Sequence, residues 1–148
     1  CTGSISIEAK LMAPHLDVVA FEKREESRHI IQRNSHNFGA PGIQIFIDDF
    51  QNIDKENLTR PDAVFLGGYG GVMEQILDEI DQWLISRGCI VFNAVTQESL
   101  TRFQQWHHSN HYLQTAKHTI TVDEHNSITI VAIEKPTAIL TQTTIQAT

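Results

Sequence analysis

Residues 61–80 have the sequence Pro-Asp-Ala-Val-Phe-Leu-Gly-Gly-Tyr-Gly-Gly-Val-Met-Glu-Gln-Ile-Leu-Asp-Glu-Ile, and this stretch decides the fold class of the chain. The short apolar run Ala63–Leu66 predicts a strand that is buried on both faces. Two glycine pairs follow, Gly67-Gly68 and Gly70-Gly71, separated only by Tyr69. Apolar residues then recur at helical spacing, at Met73, Ile76, Leu77, Ile80, Trp83 and Leu84. Strand, glycine loop and helix in this order bring backbone close to a ligand at the carboxyl end of a parallel sheet.

The glycine loop has two interpretations. One is a tight crossover between a strand and a helix, with no ligand involved. The other is a ligand-binding loop, which we favour because two glycine pairs are more than a turn requires. A glycine costs about 1 kcal/mol of stability relative to alanine, through lost conformational entropy, wherever its backbone freedom is not needed.

The rest of the chain alternates between predicted strands and helices. The further predicted strands are Asp17–Phe21, Ile43–Ile47 and Cys89–Val95. The further predicted helices run from Ile5 to Met12, through Ile30, Ile31 and Phe38 to Gly39, and from a Thr96 cap through Leu100, Phe103 and Trp106. Thr115–Val122 and Ser127–Ile133 alternate around residues 123–126 and predict an antiparallel hairpin. This order predicts one α/β domain over residues 1–148, with a doubly wound, mainly parallel sheet and a C-terminal antiparallel hairpin.

Composition and charge exclude several classes of protein. The chain has 148 residues, 41% of them hydrophobic, and 18 acidic against 11 basic residues give a formal charge of −7. This charge disfavours nucleic-acid binding, which needs a basic face for phosphates. No apolar run approaches the length of a membrane span, and we expect no membrane partner. Two cysteines do not suggest a disulfide framework, which fits a cytoplasmic protein.

Acidic residues stand at the ends of two predicted strands. Glu22 follows the first, where a doubly wound fold places a carboxylate that accepts both hydroxyls of a ribose. Asp48 and Asp49 follow the next, where a carboxylate can accept from an adenine amino group. Each has a plainer explanation, because acids are favoured at a helix start and aspartates form Asx turns. Their joint placement beside a glycine-rich loop favours an adenosine site.

The first residues resemble part of a nucleotide-binding loop. Thr2-Gly3-Ser4 leads directly into the first predicted helix, and such a helix start offers N–H groups to a ligand. The strand that would precede this motif is absent from the sequence. We therefore expect the chain to begin inside the motif, with the first strand of the fold missing from it.

Three motifs together resemble one family. Thr2-Gly-Ser-Ile-Ser-Ile-Glu-Ala9, Gly67-Gly-Tyr-Gly-Gly71 and Asn93-Ala-Val-Thr96 are similar to the decarboxylating, C15-methylating precorrin methyltransferases of cobalamin biosynthesis. The resemblance extends from Thr2 to about Thr141. It implies a Rossmann-like fold, S-adenosylmethionine as the methyl donor, and an anionic tetrapyrrole, a precorrin, as the substrate.

The resemblance also implies roles for individual residues. The implied cofactor-binding residues are Thr2, Gly3, Ser4, Glu22, Asp49, Phe50, Gly67 and Gly68, with Phe50 acting through its backbone. The implied substrate-binding residues are Tyr69, Gly70, Gly71, Asn93 and Thr96. No catalytic residue is assigned, although a general acid is expected and Tyr69, Glu74 and Glu98 are candidates by position. The anionic substrate predicts that some of five cationic side chains lie near the cleft, namely Lys10, Lys23, Arg24, Arg102 and Lys117.

Assembly and competing functions complete the expectations. Residues 138–145 predict one more strand, whose apolar edge would be covered in a homo-oligomer, and the resemblance implies a tetramer and a C5-methylating domain as a fused or separate partner. Competing hypotheses are a methyltransferase for another small molecule and a catalytically inactive cofactor-binding subunit. A nucleic-acid N-methyltransferase would carry an Asn/Asp-Pro-Pro-aromatic motif where Gly67–Gly71 stands. The histidines His107, His108 and His111 include an i,i+4 pair that could hold zinc. No third ligand has suitable spacing, so no metal is expected.

Overall fold

The structure is a computed structural model that describes residues 2–69, 72–121 and 127–137. The chain divides into two compact units, Cys1–Leu58 and Thr59–Thr148. Helices and strands alternate in both, and parallel as well as antiparallel strand pairs occur, as the sequence predicts. Within the described ranges, none of the helices has the length and apolar character needed to cross a membrane.

The first unit is built on a pair of parallel strands. Its elements are α1 (Ser4–Met12), β1 (Val18–Glu22), α2 (Glu26–Asn37), β2 (Ile43–Ile47) and a short 3-10 turn (Phe50–Asn52). β1 and β2 run parallel in a two-stranded sheet, in a register that ends with Glu22 opposite Ile47. The buried apolar side chains are Ile7 of α1, Ile31 of α2 and Ala40. All five residues of β1 are only half-buried, because the strand has one partner in this sheet.

The second unit carries a four-stranded mixed sheet. Its elements are β3 (Ala63–Leu66), α3 (Met73–Trp83), β4 (Cys89–Ala94), α4 (Gln97–Ser109), β5 (Leu113–Thr121) and β6 (Ser127–Glu134). The strand order is β3-β4-β6-β5, with β3 parallel to β4 and the other pairs antiparallel. The predicted hairpin is therefore confirmed as β5 and β6. Residues 122–126 of its turn, and the strand expected at 138–145, lie outside the described residues.

The structure corrects the expectation that β3 is buried on both faces. Leu66 is buried, but Ala63 is exposed and Phe65 keeps 39% of its surface accessible. The reason is the position of the strand, because among the described residues β3 is an edge of its sheet with β4 as its single partner. An apolar run identifies a strand, but its place in the sheet determines how much of it is covered.

Helix α3 uses both of its faces. The predicted apolar positions Met73, Ile76, Leu77 and Ile80 are buried, and so is Leu84 just beyond the helix. Acids on another face bond to residues from later in the chain. Trp106 Nε1 donates to Asp78 Oδ1 at 2.7 Å, and the Tyr112 hydroxyl donates to Asp81 Oδ1 at 2.7 Å. These bonds hold α3 against α4 and against Tyr112, which follows α4.

Candidate functional site

The acids of the first unit meet at the carboxyl ends of its two parallel strands. Glu22 ends β1 opposite Ile47 of β2, and the Asp48 N–H donates to the Glu22 carbonyl oxygen at 3.0 Å. Asp48 and Asp49 continue from β2 at this position. The pairing therefore brings Glu22, Asp48 and Asp49 together. The carboxyl ends of neighbouring parallel strands are the usual ligand position of such a sheet.

Asp48 and Asp49 have different surroundings. Asp48 Oδ1 accepts from Asn52 Nδ2 at 3.0 Å and from the Asp49 N–H at 2.6 Å, and these bonds lower the pKa of the Asp48 carboxyl. Asp48 thus accepts local hydrogen bonds, but from the next N–H and from a side chain rather than from the N–H two residues on that defines an Asx turn. Asp49 is the N-cap residue of the 3-10 turn, and its Oδ2 lies 2.9 Å from Lys23 Nζ. Asp49 is thus held by an ion pair at the surface, whereas Asp48 accepts local hydrogen bonds.

An aromatic group surrounds this end of the strands. The Phe50 ring meets Phe21 edge-on at 5.2 Å between centroids, and Phe21 stacks on Phe46 at 5.6 Å. Lys55 Nζ lies 4.1 Å from the centroid of the Phe50 ring. The expected adenine contact, the backbone of Phe50, is therefore held by packing on β1 and by a cation.

The start of α1 is fixed against α2. Gly3 has φ +73°, a left-handed conformation, and a Cβ there would lie 2.9 Å from Ile31 Cγ2. The Thr2 carbonyl oxygen accepts from Asn34 Nδ2 at 3.0 Å. Thr2 and Ser4 are exposed. Close packing on α2 and backbone conformation thus explain the glycine at position 3 without a ligand.

The glycine loop of the second unit begins directly after β3. A Cβ at Gly67 would lie 2.7 Å from Phe65 Cε1, whereas no described atom lies within 4 Å of a Cβ at Gly68. Neither glycine has a positive φ, so the backbone conformation does not require them. Gly68 therefore borders open space, as a ligand-binding loop needs. Gly70 and Gly71, two of the predicted substrate contacts, lie outside the described residues.

Tyr69 and the end of β4 lie in the same unit. The Tyr69 ring is 6.4 Å from the Phe92 ring of β4. Asn93 lies on β4, and its side-chain oxygen is buried without a hydrogen-bond partner among the described residues. Such an atom costs free energy unless a ligand or water satisfies it.

Thr96 has a structural role. Its Oγ1 accepts from the Ser99 N–H at 3.1 Å, and its own N–H donates to Ser99 Oγ at 3.4 Å. This capping box confirms the predicted helix start at α4. The Thr96 side chain is exposed, so the cap leaves it accessible.

The main electrostatic feature of this unit is an ion pair between α3 and α4. Arg102 Nε donates to Glu74 Oε1 at 2.9 Å and Arg102 Nη2 donates to Glu74 Oε2 at 2.5 Å. The pair lowers the pKa of Glu74, first through the Arg102 hydrogen bonds, and raises the pKa of Arg102. Glu74 is therefore held as a carboxylate and is a poor proton donor, which removes it from the three candidate general acids.

The five cationic side chains expected near an anionic substrate have separate positions. Lys10 donates to the Pro14 and Leu16 carbonyl oxygens after α1, Lys23 pairs with Asp49, and Arg102 pairs with Glu74. Arg24 and Lys117 are exposed, on the first and the second unit. Sequence reasoning selected Arg102 for its charge alone and did not pair it with Glu74. The signal available for Glu74 was its place in the first turn of α3, where an acidic residue is favoured.

Known proteins resemble this chain in sequence and in fold. A precorrin-6Y C(5,15)-methyltransferase [decarboxylating] of Sinorhizobium sp is 34% identical over 97 residues, which are 66% of this chain and 23% of that protein. A cobalt-precorrin-6B C(15)-methyltransferase (decarboxylating) of Salmonella typhimurium is 32% identical over 99 residues, 67% of this chain and 50% of that protein. The chain thus spans about a quarter and a half of the lengths of these two relatives.

The fold agrees with the sequence. The crystal structure of a precorrin-6y C5,15-methyltransferase from Geobacter metallireducens superposes with a TM-score of 0.79 at 30% identity, covering 90% of this chain and 75% of that one. The fold class predicted from the sequence is thereby confirmed. The model of the precorrin methyltransferase domain family matches residues 1–145, and the chain belongs to that family.

Proposed function

We propose that this chain carries out S-adenosylmethionine-dependent methylation of a precorrin at C15, coupled to decarboxylation of the C12 acetate side chain, in cobalamin biosynthesis. The observation that carries the proposal is the family match over residues 1–145, because the relatives bear the names of decarboxylating C15-methyltransferases. The geometry supports it through two acids at adjoining strand ends in the first unit and an unfilled position at Gly68 in the second.

The polar groups at the strand ends of the first unit suit an adenosine. In the proposal, the Glu22 carboxylate accepts from the two ribose hydroxyls and the Asp49 carboxylate accepts from the adenine amino group. The backbone of Phe50 meets the ring edge of the adenine. Thr2, Gly3 and Ser4 contact the methionine part of the cofactor through the first turn of α1.

The residues of the second unit are proposed to serve the reacting groups. Gly67 and Gly68 lie near the sulfonium, where the absence of side chains allows close approach. The substrate-facing set is Tyr69, Gly70, Gly71, Asn93 and Thr96. The buried, unpartnered oxygen of Asn93 supports this assignment, since a polar substrate group would satisfy it.

The chemistry needs positioning more than covalent help. The cofactor supplies an electrophilic methyl group, and the protein aligns the attacking carbon with it and excludes water. A proton lost from C15 on methylation balances the proton gained when the acetate loses CO2 and becomes a methyl group. A general acid can deliver that proton through the macrocycle. With Glu74 held as a carboxylate, Tyr69 and Glu98 are the remaining candidates.

Isotope labelling tests this function. The protein is incubated with a precorrin that carries the C12 acetate and with S-adenosylmethionine labelled with 13C in its methyl group. We expect one labelled methyl at C15 for each CO2 released. Methylation of a different small molecule only would favour another methyltransferase. Binding of the cofactor without any product would favour a non-catalytic cofactor-binding subunit.

Calorimetry with S-adenosylhomocysteine tests the cofactor site separately. We expect Glu22→Ala to weaken binding by about 1–3 kcal/mol, through loss of charge-assisted hydrogen bonds. Glu25→Ala is the matched control, because Glu25 is an exposed glutamate three residues after Glu22. Its Oε1 lies 3.8 Å from Arg28 Nε in an ion pair at the surface. Equal affinities of the two variants would remove Glu22 from the site.

We also propose a homo-oligomer, in the form of a tetramer, acting in the cytoplasm together with a C5-methylating domain on the same or another polypeptide. The fusion is supported by the Sinorhizobium relative, named for both positions and about four times longer than the matched region. The oligomer is supported by β5, an edge strand that is exposed at eight of nine positions.

A further inference from the structure

Lys55 fastens the two ends of the 3-10 turn that follows β2. Its Nζ donates to the Phe50 carbonyl oxygen at 2.5 Å and to the Ile53 carbonyl oxygen at 2.8 Å. Phe50 begins the turn and Ile53 follows its last residue. The same nitrogen lies 4.1 Å from the centroid of the Phe50 ring. One half-buried ammonium group thus holds both the main chain and the side chain of Phe50.

The turn held by Lys55 is the segment that presents Asp49 and Phe50. On its other side, Asp48 Oδ1 accepts from the Asp49 N–H and from Asn52 Nδ2. The Asn52 N–H also donates to the Asp49 carbonyl oxygen at 2.9 Å. With Lys55 removed, the Phe50 and Ile53 carbonyl oxygens lose a charged donor, while the Asp48 hydrogen bonds and the contact of the Phe50 ring with Phe21 remain.

The two groups presented by this turn match one edge of adenine. The Asp49 carboxylate is an acceptor, and the Phe50 backbone supplies an N–H donor. Adenine offers the complementary pair, an amino donor beside a ring-nitrogen acceptor. A 6-oxopurine such as hypoxanthine offers the reverse, an oxygen acceptor beside an N–H donor, and would face the Asp49 carboxylate with its own oxygen. Discrimination between the two bases therefore depends on how well the turn is held in place.

We propose that Lys55 is a positioning residue that sets the preference of this site for adenine over 6-oxopurines, by fixing the Asp49–Phe50 segment. The proposal rests on the cofactor site described under Proposed function. It adds that Lys55, which does not itself contact the base in this proposal, determines which purine the Asp49 carboxylate and the Phe50 backbone bind.

A ratio of affinities tests the proposal. Calorimetry on the full chain measures the dissociation constants of S-adenosylhomocysteine and of its hypoxanthine analogue, S-inosylhomocysteine. For Lys55→Met we expect about 3- to 10-fold weaker binding of the adenine compound and a smaller change for the hypoxanthine compound, so that the preference falls. A preference equal to that of the wild type overturns the proposal, because general loosening would weaken both compounds alike.

Lys10→Met is the matched control. Lys10 also donates to two backbone carbonyl oxygens, those of Pro14 at 3.0 Å and Leu16 at 2.7 Å, at the end of α1. We expect this variant to keep the wild-type preference. A fall in preference as large as that of Lys55→Met would show that any lysine bound to carbonyls in this unit has the effect, and would overturn the specific role.

Two further outcomes separate this proposal from the proposed function. If the wild type binds neither compound, the cofactor site itself is wrong, and the role of Lys55 falls with it. If the wild type prefers adenine and Lys55→Met does not fold, Lys55→Gln replaces it. Glutamine keeps a polar side chain at this position, but its amide is uncharged and ends closer to the backbone than the lysine ammonium does. An unchanged preference in the folded Lys55→Gln protein then overturns the role of Lys55 alone.

Discussion

Gly68 separates the two interpretations of the glycine loop at the scale of a single residue. It has no positive φ, and no described atom lies within 4 Å of a Cβ placed on it. A Cβ at position 68 therefore meets no steric obstacle within the described residues. If glycine is needed there at all, the need comes from something that approaches the loop.

Gly68→Val tests that conclusion. We expect a folded protein with near-normal thermal stability that no longer binds S-adenosylhomocysteine in calorimetry, because the branched side chain fills the space of the ligand. Gly88→Ala is the control for overpacking, since a Cβ there would lie 2.7 Å from Leu84 Cγ and should lower the melting temperature. Normal binding by a folded Gly68→Val protein would mean that this glycine serves the turn only.

At the scale of elements, α3 is held to α4 by polar bonds from its acidic face. Glu74 and Asp78 bond to Arg102 and Trp106 of α4, and Asp81 bonds to Tyr112 directly after that helix. These acids follow one another at spacings of four and three, so they share one face of the helix. These acidic residues thus join α3 to α4 and to Tyr112 within the second unit.

Asp78→Ala tests the strength of this connection. Trp106 is 6% exposed, so the loss of its acceptor leaves a buried N–H unsatisfied and should lower the free energy of unfolding by about 1–3 kcal/mol. Urea denaturation measures the change, with Gln75→Ala, an exposed position on the same helix, as the control. Similar losses in both variants would show that the bond contributes nothing beyond helix propensity.

Helix α4 also contains a buried histidine. His107 is 1% exposed, its ring lies 5.9 Å from Phe103 and 4.3 Å from His108, and neither ring nitrogen has a hydrogen-bond partner among the described residues. Burial, with a smaller contribution from His108, lowers the pKa of His107 below its ordinary value of 6.5. The unfolded chain therefore takes up a proton at a higher pH than the folded chain does.

This shift predicts the pH dependence of stability. The contribution of neutral His107 is complete above about pH 6.5 and is lost progressively as the pH falls toward the lowered pKa of the folded state. In urea denaturation, His107→Leu should lose less stability than the wild type between pH 7.5 and pH 5.5. His118→Gln, at an exposed position of β5, should behave as the wild type does. Parallel pH profiles for the wild type and His107→Leu would contradict the prediction.

At the scale of the whole molecule, β5 is the feature that bears on assembly. Among the described residues it is the edge of its sheet, and Leu113 and Ile120 are 67% and 52% exposed. An exposed edge strand with apolar side chains is a surface for pairing with another chain. A second copy of this protein would cover it in the proposed oligomer.

Light scattering at micromolar concentration tests the assembly. We expect a mass above that of one chain for the wild type, and a shift toward the monomer for Ile120→Lys, because a charge at this edge disfavours pairing. His118→Lys places the same charge on a polar residue of the same strand face, two positions earlier, and shows whether loss of apolar contact or added charge is responsible. A monomeric wild type would contradict the proposed oligomer.

The sequence by itself determined the elements of this protein and their order. The apolar spacing of α3 and the Thr96 cap are local patterns that lie where they were predicted. The predicted hairpin is found as β5 and β6, with bounds that differ by one or two residues from the predicted ones. The resemblance to precorrin methyltransferases also came from contiguous motifs, and the family match bears it out.

Only the tertiary structure decided how these elements use their side chains. It made β3 an edge strand, separated the roles of Asp48 and Asp49, and placed Arg102 on Glu74 across 28 positions of sequence. The physical reason is that periodicity and capping act over one or two turns of chain, whereas burial, ion pairing and strand order depend on which distant residues come into contact.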